Sequence, residues 1–166
     1  MNNEAAAGFT YLVEVVDAHG NVTDSETIHN LMPIEGLDHV LSTVLKSGAQ
    51  VTQWFIGVYE NLYSPTPNDT MALFPASAGE STAYVATTRP AFTAGTIATG
   101  SVDNSAAKAE FAFTGTKTII GGFISSSSAK GSTSGVLLSA VRFGSAKSVD
   151  ASSTLRITAG FTMASL

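Results

Sequence analysis

Residues 154–163, TLRITAGFTM, carry the clearest periodicity in the chain and decide its fold class. Leu155, Ile157, Ala159, Phe161 and Met163 fall on one side of an extended strand, with Thr154, Arg156, Thr158 and Thr162 on the other. That is the period-two pattern of a strand with one buried face. Working outward, residues 107–114 repeat it, setting Phe111 and Phe113 against Lys108 and Glu110. Phe9 to Val16 is rich in aromatic and β-branched residues. The turn Asp17-Ala18-His19-Gly20-Asn21 leads from it into a more polar arm, Val22 to Ile28, so an exposed hairpin is expected.

Two stretches are apolar on both faces. In residues 53–59, Trp54, Ile56 and Val58 oppose Phe55 and Tyr59, and residues 117–125 behave alike, with Gly121-Gly122 suggesting a bulge or close backbone approach. Such strands are central or covered from both sides. Ala83–Thr88, Ala91–Ile97 and Val136–Phe143 complete the predicted strands, the first two separated by Arg89-Pro90. Asn61–Thr82, with Pro65, Pro67 and Pro75, is read as a long loop, and SSSSAKGSTSG (125–135) as a flexible one.

One helix interrupts this pattern. Pro33 suits a first helical position, Glu35 and Asp38 favour the positive end of the dipole, Lys46 the negative end, and Gly48 follows as a stop. Leu37, Val40, Leu41, Val44 and Leu45 form an apolar stripe, expected to lie on the sheet. The fold class is therefore all-β: a single-domain, jelly-roll-like β-sandwich of about eight short antiparallel strands with one short helix near residues 33–47. Residues 1–8 are expected to be a flexible N-terminal tail and 9–166 one domain that includes the hairpin 9–28.

Composition bounds the function. The 166 residues include 8 basic and 13 acidic side chains, giving a net charge of −5. That balance argues against a nucleic-acid-binding face, which needs clustered Lys and Arg. Charged residues make up only 13% of the chain, about half the usual share, and suit burial against other protein. Cysteine is absent, excluding disulfides, thiolate metal sites and a Cys nucleophile. The start, MNNEAAAG, lacks the features of a signal peptide, and no run reaches the ~18 apolar residues of a membrane span. The expectation is a soluble protein made in the cytoplasm, with no membrane partner.

No catalytic motif emerges. His19, His29 and His39 lack the i, i+4 pairing and support of a zinc site and are read as unrelated surface histidines, so no metal or cofactor is expected. The 17–21 turn lacks the second Asp and the distal Glu of a calcium loop. Gly115-Thr116-Lys117-Thr118 runs into a strand rather than a helix and is no phosphate loop. Gly131–Gly135 places Thr where a nucleophile elbow needs Ser. Nothing brackets a carboxylate pair, and the chain is read as a non-enzyme. Trp54, Tyr59, Tyr63 and Phe74 could form an aromatic platform for sugar, or belong to the core and subunit contacts.

The run Asn30–Glu60, NLMPIEGLDHVLSTVLKSGAQVTQWFIGVYE, has an Asn-Leu lead-in, a Glu-Gly-Leu helix start and an aromatic strand with a hydrophobic-Gly-hydrophobic step. Together with Tyr84, Arg89-Pro90, Ser101–Asn104, Phe111-Ala112-Phe113, Ile119–Phe123 and Leu137–Ala140, it resembles the head decoration (cement) proteins of short-tailed bacteriophages. The resemblance spans Ile28 to Met163 and leaves out the N-terminal hairpin. It implies a structural virion protein made in the host cytoplasm. Such a protein sits on the outer capsid surface and bridges neighbouring copies of the major capsid protein, itself a homodimer or homotrimer. The expected contacts lie in the segment up to Ile28 and in the 61–82 loop, with Phe9, Tyr11, Tyr59, Tyr63, Pro65, Pro67, Phe74 and Arg89 as interface residues. The alternative is a phage tail or fibre module that binds host carbohydrate.

Overall fold

Strand β9 (Thr154–Ser165) is the hub of the first sheet. It pairs antiparallel along its whole length with β1 (Ala5–Val16), from Ala5↔Ser165 to Val16↔Thr154. Strand β2 (Val22–His29) extends the sheet beyond β1, while the short β5 (Ser101–Asp103) and β6 (Ala109–Ala112) share the other edge of β9. The second sheet has the order β4-β3-β7-β8, from β4 (Ala91–Phe92), β3 (Trp54–Tyr59), β7 (Lys117–Ser125) and β8 (Leu137–Val149). The computed structural model describes residues 5–165, and among these nine strands form the all-β sandwich.

The predicted alternation carries directly into the core. Phe9, Tyr11, Val13 and Val15 of β1 and Leu155, Ile157 and Ala159 of β9 meet Ile56, Val58, Ile119, Ile124 and Val141 from the second sheet. Strand β1 starts at Ala5, so residues 5–8 are part of the sheet rather than of a tail; the preceding four lie outside the described residues. Ala83–Thr88 is not a strand: only Tyr84 makes a bridge, to Phe113. The expected 91–97 strand shortens to Ala91–Phe92. Beyond Phe92 the chain bonds elsewhere, Gly95 donating its N–H to the Asp103 carbonyl and Ala98 bridging to Ser101, while Pro90 before it has no N–H to give a ladder.

The second sheet is buried on both faces by the protein itself. Its outer side carries a separate cluster, Tyr59, Ile120, Phe123, Leu137 and Ala140, covered by Met71, Phe74 and Ala78. These three lie in the 61–82 segment, which contains a short helix, α2 (Phe74–Ala78), ended by Gly79 in the left-handed region (φ 66°). The stretch read as a contact loop is thus a lid over β3 and β7. It explains why those strands are apolar on both faces.

Helix α1 (Ile34–Leu45) docks on β8 through its least bulky residue. A Cβ on Gly36 would stand 2.5 Å from the Leu138 carbonyl oxygen and 2.9 Å from that of Leu137, so only glycine allows this approach. Glu35 beside it accepts the backbone N–H of Met71 (2.8 Å) and of Leu137 (2.6 Å), joining helix, lid and sheet.

Candidate functional site

The outer face of the second sheet is built on two reciprocal glycine–aromatic pairs. Gly57 stands opposite Phe123, and Tyr59 opposite Gly121, in the β3–β7 register. A Cβ at either glycine would collide with the facing ring, so each ring lies across the partner strand's bare backbone. Phe74 of the lid meets Phe123 at 5.3 Å and Tyr59 at 5.6 Å between centroids, both near edge-on. Burial raises the Tyr59 phenol above its ordinary pKa.

Arg89 closes this cluster from the side. Its Nε and a terminal nitrogen bind the Glu80 carboxylate at 2.8 and 2.7 Å. The remaining donors reach Ser125 Oγ and the carbonyls of Ser127 and Ser132. The guanidinium carbon lies 5.2 Å from the centre of the Phe123 ring. This one side chain fastens the serine-rich 125–135 loop, with Lys130 adding bonds to the carbonyls of Thr82 and Tyr84. On the opposite side, Lys147 of β8 is buried between Asp24 (3.0 Å) and Glu26 (2.8 Å) of β2, linking edge strands of the two sheets.

These contacts relocate most of the expected interface. Phe9, Tyr11, Tyr59, Phe74 and Arg89 are all buried, and each already has its partners inside the chain. Tyr11, for example, bonds Ser139 Oγ at 2.7 Å, and burial raises its pKa. Expected as interface residues, these five side chains are enclosed within the fold of the chain itself. Tyr63 and Pro65 are half-buried and Pro67 exposed. Tyr63 is braced by a 2.6 Å hydrogen bond to Asp69, which raises its pKa. The four aromatics weighed as a sugar platform are not gathered: Trp54 packs against the inter-sheet core, Tyr59, Tyr63 and Phe74 with the outer cluster.

The surface feature that stands out is α1. The stripe expected to rest on the sheet is largely exposed: Leu37 40%, Leu41 54%, Val44 72% and Leu45 74%. Ile34 is exposed beside them. Val40 and Gly36 are what face the protein. Ile34, Leu37, Leu41 and Val44 follow a 3-4-3 spacing, the seam by which helices pack on other helices. That spacing was legible in the chain; its orientation was not, because glycine rather than leucine makes the contact with β8.

The histidines remain apart. His19 is exposed in its turn, His29 bonds Thr10 Oγ1, and His39 stands edge-on to Trp54 with ring centroids 5.4 Å apart. Among the described residues no group of three His, Asp or Glu side chains is placed to hold a metal ion, and no helix is long and apolar enough to cross a membrane. No protein-family model matches the chain, and no curated protein matches it in sequence.

Proposed function

We propose that the protein is a structural virion component that attaches to the outside of a bacteriophage capsid and stabilises it by bridging neighbouring major capsid subunits. The observation that carries this reading is the exposed apolar face of α1, since a contiguous apolar patch on a low-charge surface marks a protein contact. The rigid sandwich beneath, with one sheet buried on both faces, supplies a stiff platform for such a contact.

Size constrains how that contact acts. A helix of 12 residues is about 18 Å long, too short to supply by itself the ~800 Å² per partner of a standard interface. A single contact of this kind is weak. Repeated on a shell lattice, and doubled or tripled in a homodimer or homotrimer, such contacts act together through effective concentration.

The test is co-sedimentation of the purified protein with empty heads of the phage that carries its gene, together with the heat and shear resistance of the shells. Wild-type protein should bind and toughen them; the double variant Leu37→Asp, Leu41→Asp should stay in the supernatant while remaining folded. Shells that neither bind the wild-type protein nor gain resistance would rule the proposal out.

A further inference from the structure

Beside α1 the surface opens into a groove of about 300 Å³. Val40 and Val44 of the helix form one bank, Ala94 and Val102 the other. The second bank is a tight hairpin. Gly95 donates its N–H to the Asp103 carbonyl at 2.7 Å, Ala98 and Ser101 bond each other at 2.9 Å, and the chain reverses through Thr99 and Gly100, both at positive φ. Met163 of β9 ties down the turn through its N–H to the Gly100 carbonyl (2.9 Å). The floor between the banks is aromatic, with Trp54 and Phe161 left half-buried.

Val44 belongs both to this bank and to the exposed face of α1, so helix face and groove are one continuous surface. The hairpin adds area that the helix lacks. Alone, α1 is too short for a standard interface, and across the groove Ile97 (76%) and Met163 (57%) are further exposed apolar side chains. No Asp, Glu, Lys or Arg lines the groove, so a charged group entering it would stay unpaired. Half-exposed aromatic rings between two apolar banks form the kind of pocket that receives a single bulky anchor from a partner. Gln50, exposed in the lining, offers its amide to the main chain that carries such an anchor.

We infer that the groove receives one bulky, uncharged apolar side chain, aromatic or leucine, from the capsid subunit, and that α1 and the hairpin grip the segment carrying it from both sides. That the anchor belongs to a capsid subunit rests on the function proposed above; its chemistry rests on the groove alone. The volume sets the size. A cavity of roughly 150 Å³ accepts benzene, so about 300 Å³ takes a side-chain ring together with the main chain next to it.

The chain has a single tryptophan, and it lies in the floor, so its emission reports occupancy. Titration of the whole chain with N-acetyl-phenylalanine amide should give a saturable change at about millimolar concentration. N-acetyl-lysine amide should bind about tenfold or more weakly. Ala94→Glu, at an exposed position in the far bank, should weaken the phenylalanine amide about tenfold or more and release the protein from empty phage heads, while leaving a cooperative melt. Val51→Glu is the second variant if that one fails to fold. A non-saturable response to the phenylalanine amide, or an equal response to the lysine amide, would overturn the proposal. So would heads that retain wild-type and folded Ala94→Glu protein equally. Heads that fail to retain the wild-type protein would instead overturn the capsid function, and the amide titration alone would then decide the groove. A dimer that Ala94→Glu dissociates in sedimentation equilibrium would mean that a second copy fills the groove, and would overturn its assignment to the capsid.

Discussion

Arg89 and Glu80 form a bidentate ion pair in which both side chains are almost fully removed from solvent, 0% and 2% exposed. The two residues are nine positions apart in sequence and both lie outside the named strands. All five donors of the guanidinium find acceptors, and Glu80 also accepts the Gly131 N–H. The pair therefore sets the conformation of two loops at once.

Removing one partner should cost far more than removing both. Arg89→Met leaves Glu80 buried without its cation and should destabilise the fold by about 3–5 kcal/mol. Arg89→Met combined with Glu80→Leu should recover part of that loss. Denaturant melts of the single and double variants measure the difference, and additive losses would contradict the pair's assignment.

Gly57 and Phe123 give a second test. Gly57→Ala puts a methyl group into the Phe123 ring and should cost about 1–3 kcal/mol by overpacking. Phe123→Leu in the same chain should make the alanine cheaper, so the double variant should lose less stability than the sum of the two single losses. A Gly57→Ala protein as stable as wild type would mean that the ring does not lie over the strand.

Helix α1 separates packing from exposure within one turn. Gly36→Ala raises helix propensity yet should destabilise the protein, because the added Cβ meets the backbone of β8, which cannot swing aside. Leu45→Gln, a larger chemical change at an exposed position, should alter stability by no more than about 0.5 kcal/mol. Thermal melts of the two variants, run together, should rank them in that order.

Stability should have both an acid and an alkaline limit. Burial opposes ionisation of Glu26, but hydrogen bonds from Lys147, Gly144 and Ser145 outweigh it and hold the carboxyl below its ordinary 4.5. A depressed acid stabilises the fold above that value and ceases to as pH falls through the lower, folded one. For Lys147 burial likewise opposes the charge, and the bonds to Glu26 and Asp24 outweigh it, holding the ammonium above its ordinary 10.5. That contribution is complete below 10.5 and is lost as pH rises through the higher, folded value.

The phenols sharpen the alkaline side. Tyr11, Tyr59 and Tyr84 are raised above 10.0 chiefly by burial, and Tyr63 chiefly by its bond to Asp69. A raised phenol contributes stability below pH 10 that disappears on further rise. Tyrosinate absorbance should therefore appear above pH 10 together with loss of the folded circular dichroism. Tyrosinate forming near pH 10 in a protein that stays fully folded would contradict the burial of these rings.

The amino-acid sequence by itself determined the strand class and, for several strands, which side chains share the buried face. Period-two alternation in 9–16 and 154–163 is a local property of side-chain order, and it returned as the paired strands β1 and β9. The doubly apolar strands 53–59 and 117–125 and the glycines at 121–122 likewise announced a covered sheet and a close approach. Only the tertiary structure decided what covers what. Apolar content marks a side chain as wanting burial but not where the burial is found. The 61–82 segment folds back as a lid, Arg89 goes inside, and the leucines of α1 stay outside because Gly36 takes the place against β8. Those outcomes depend on contacts between residues tens of positions apart, which no local pattern encodes.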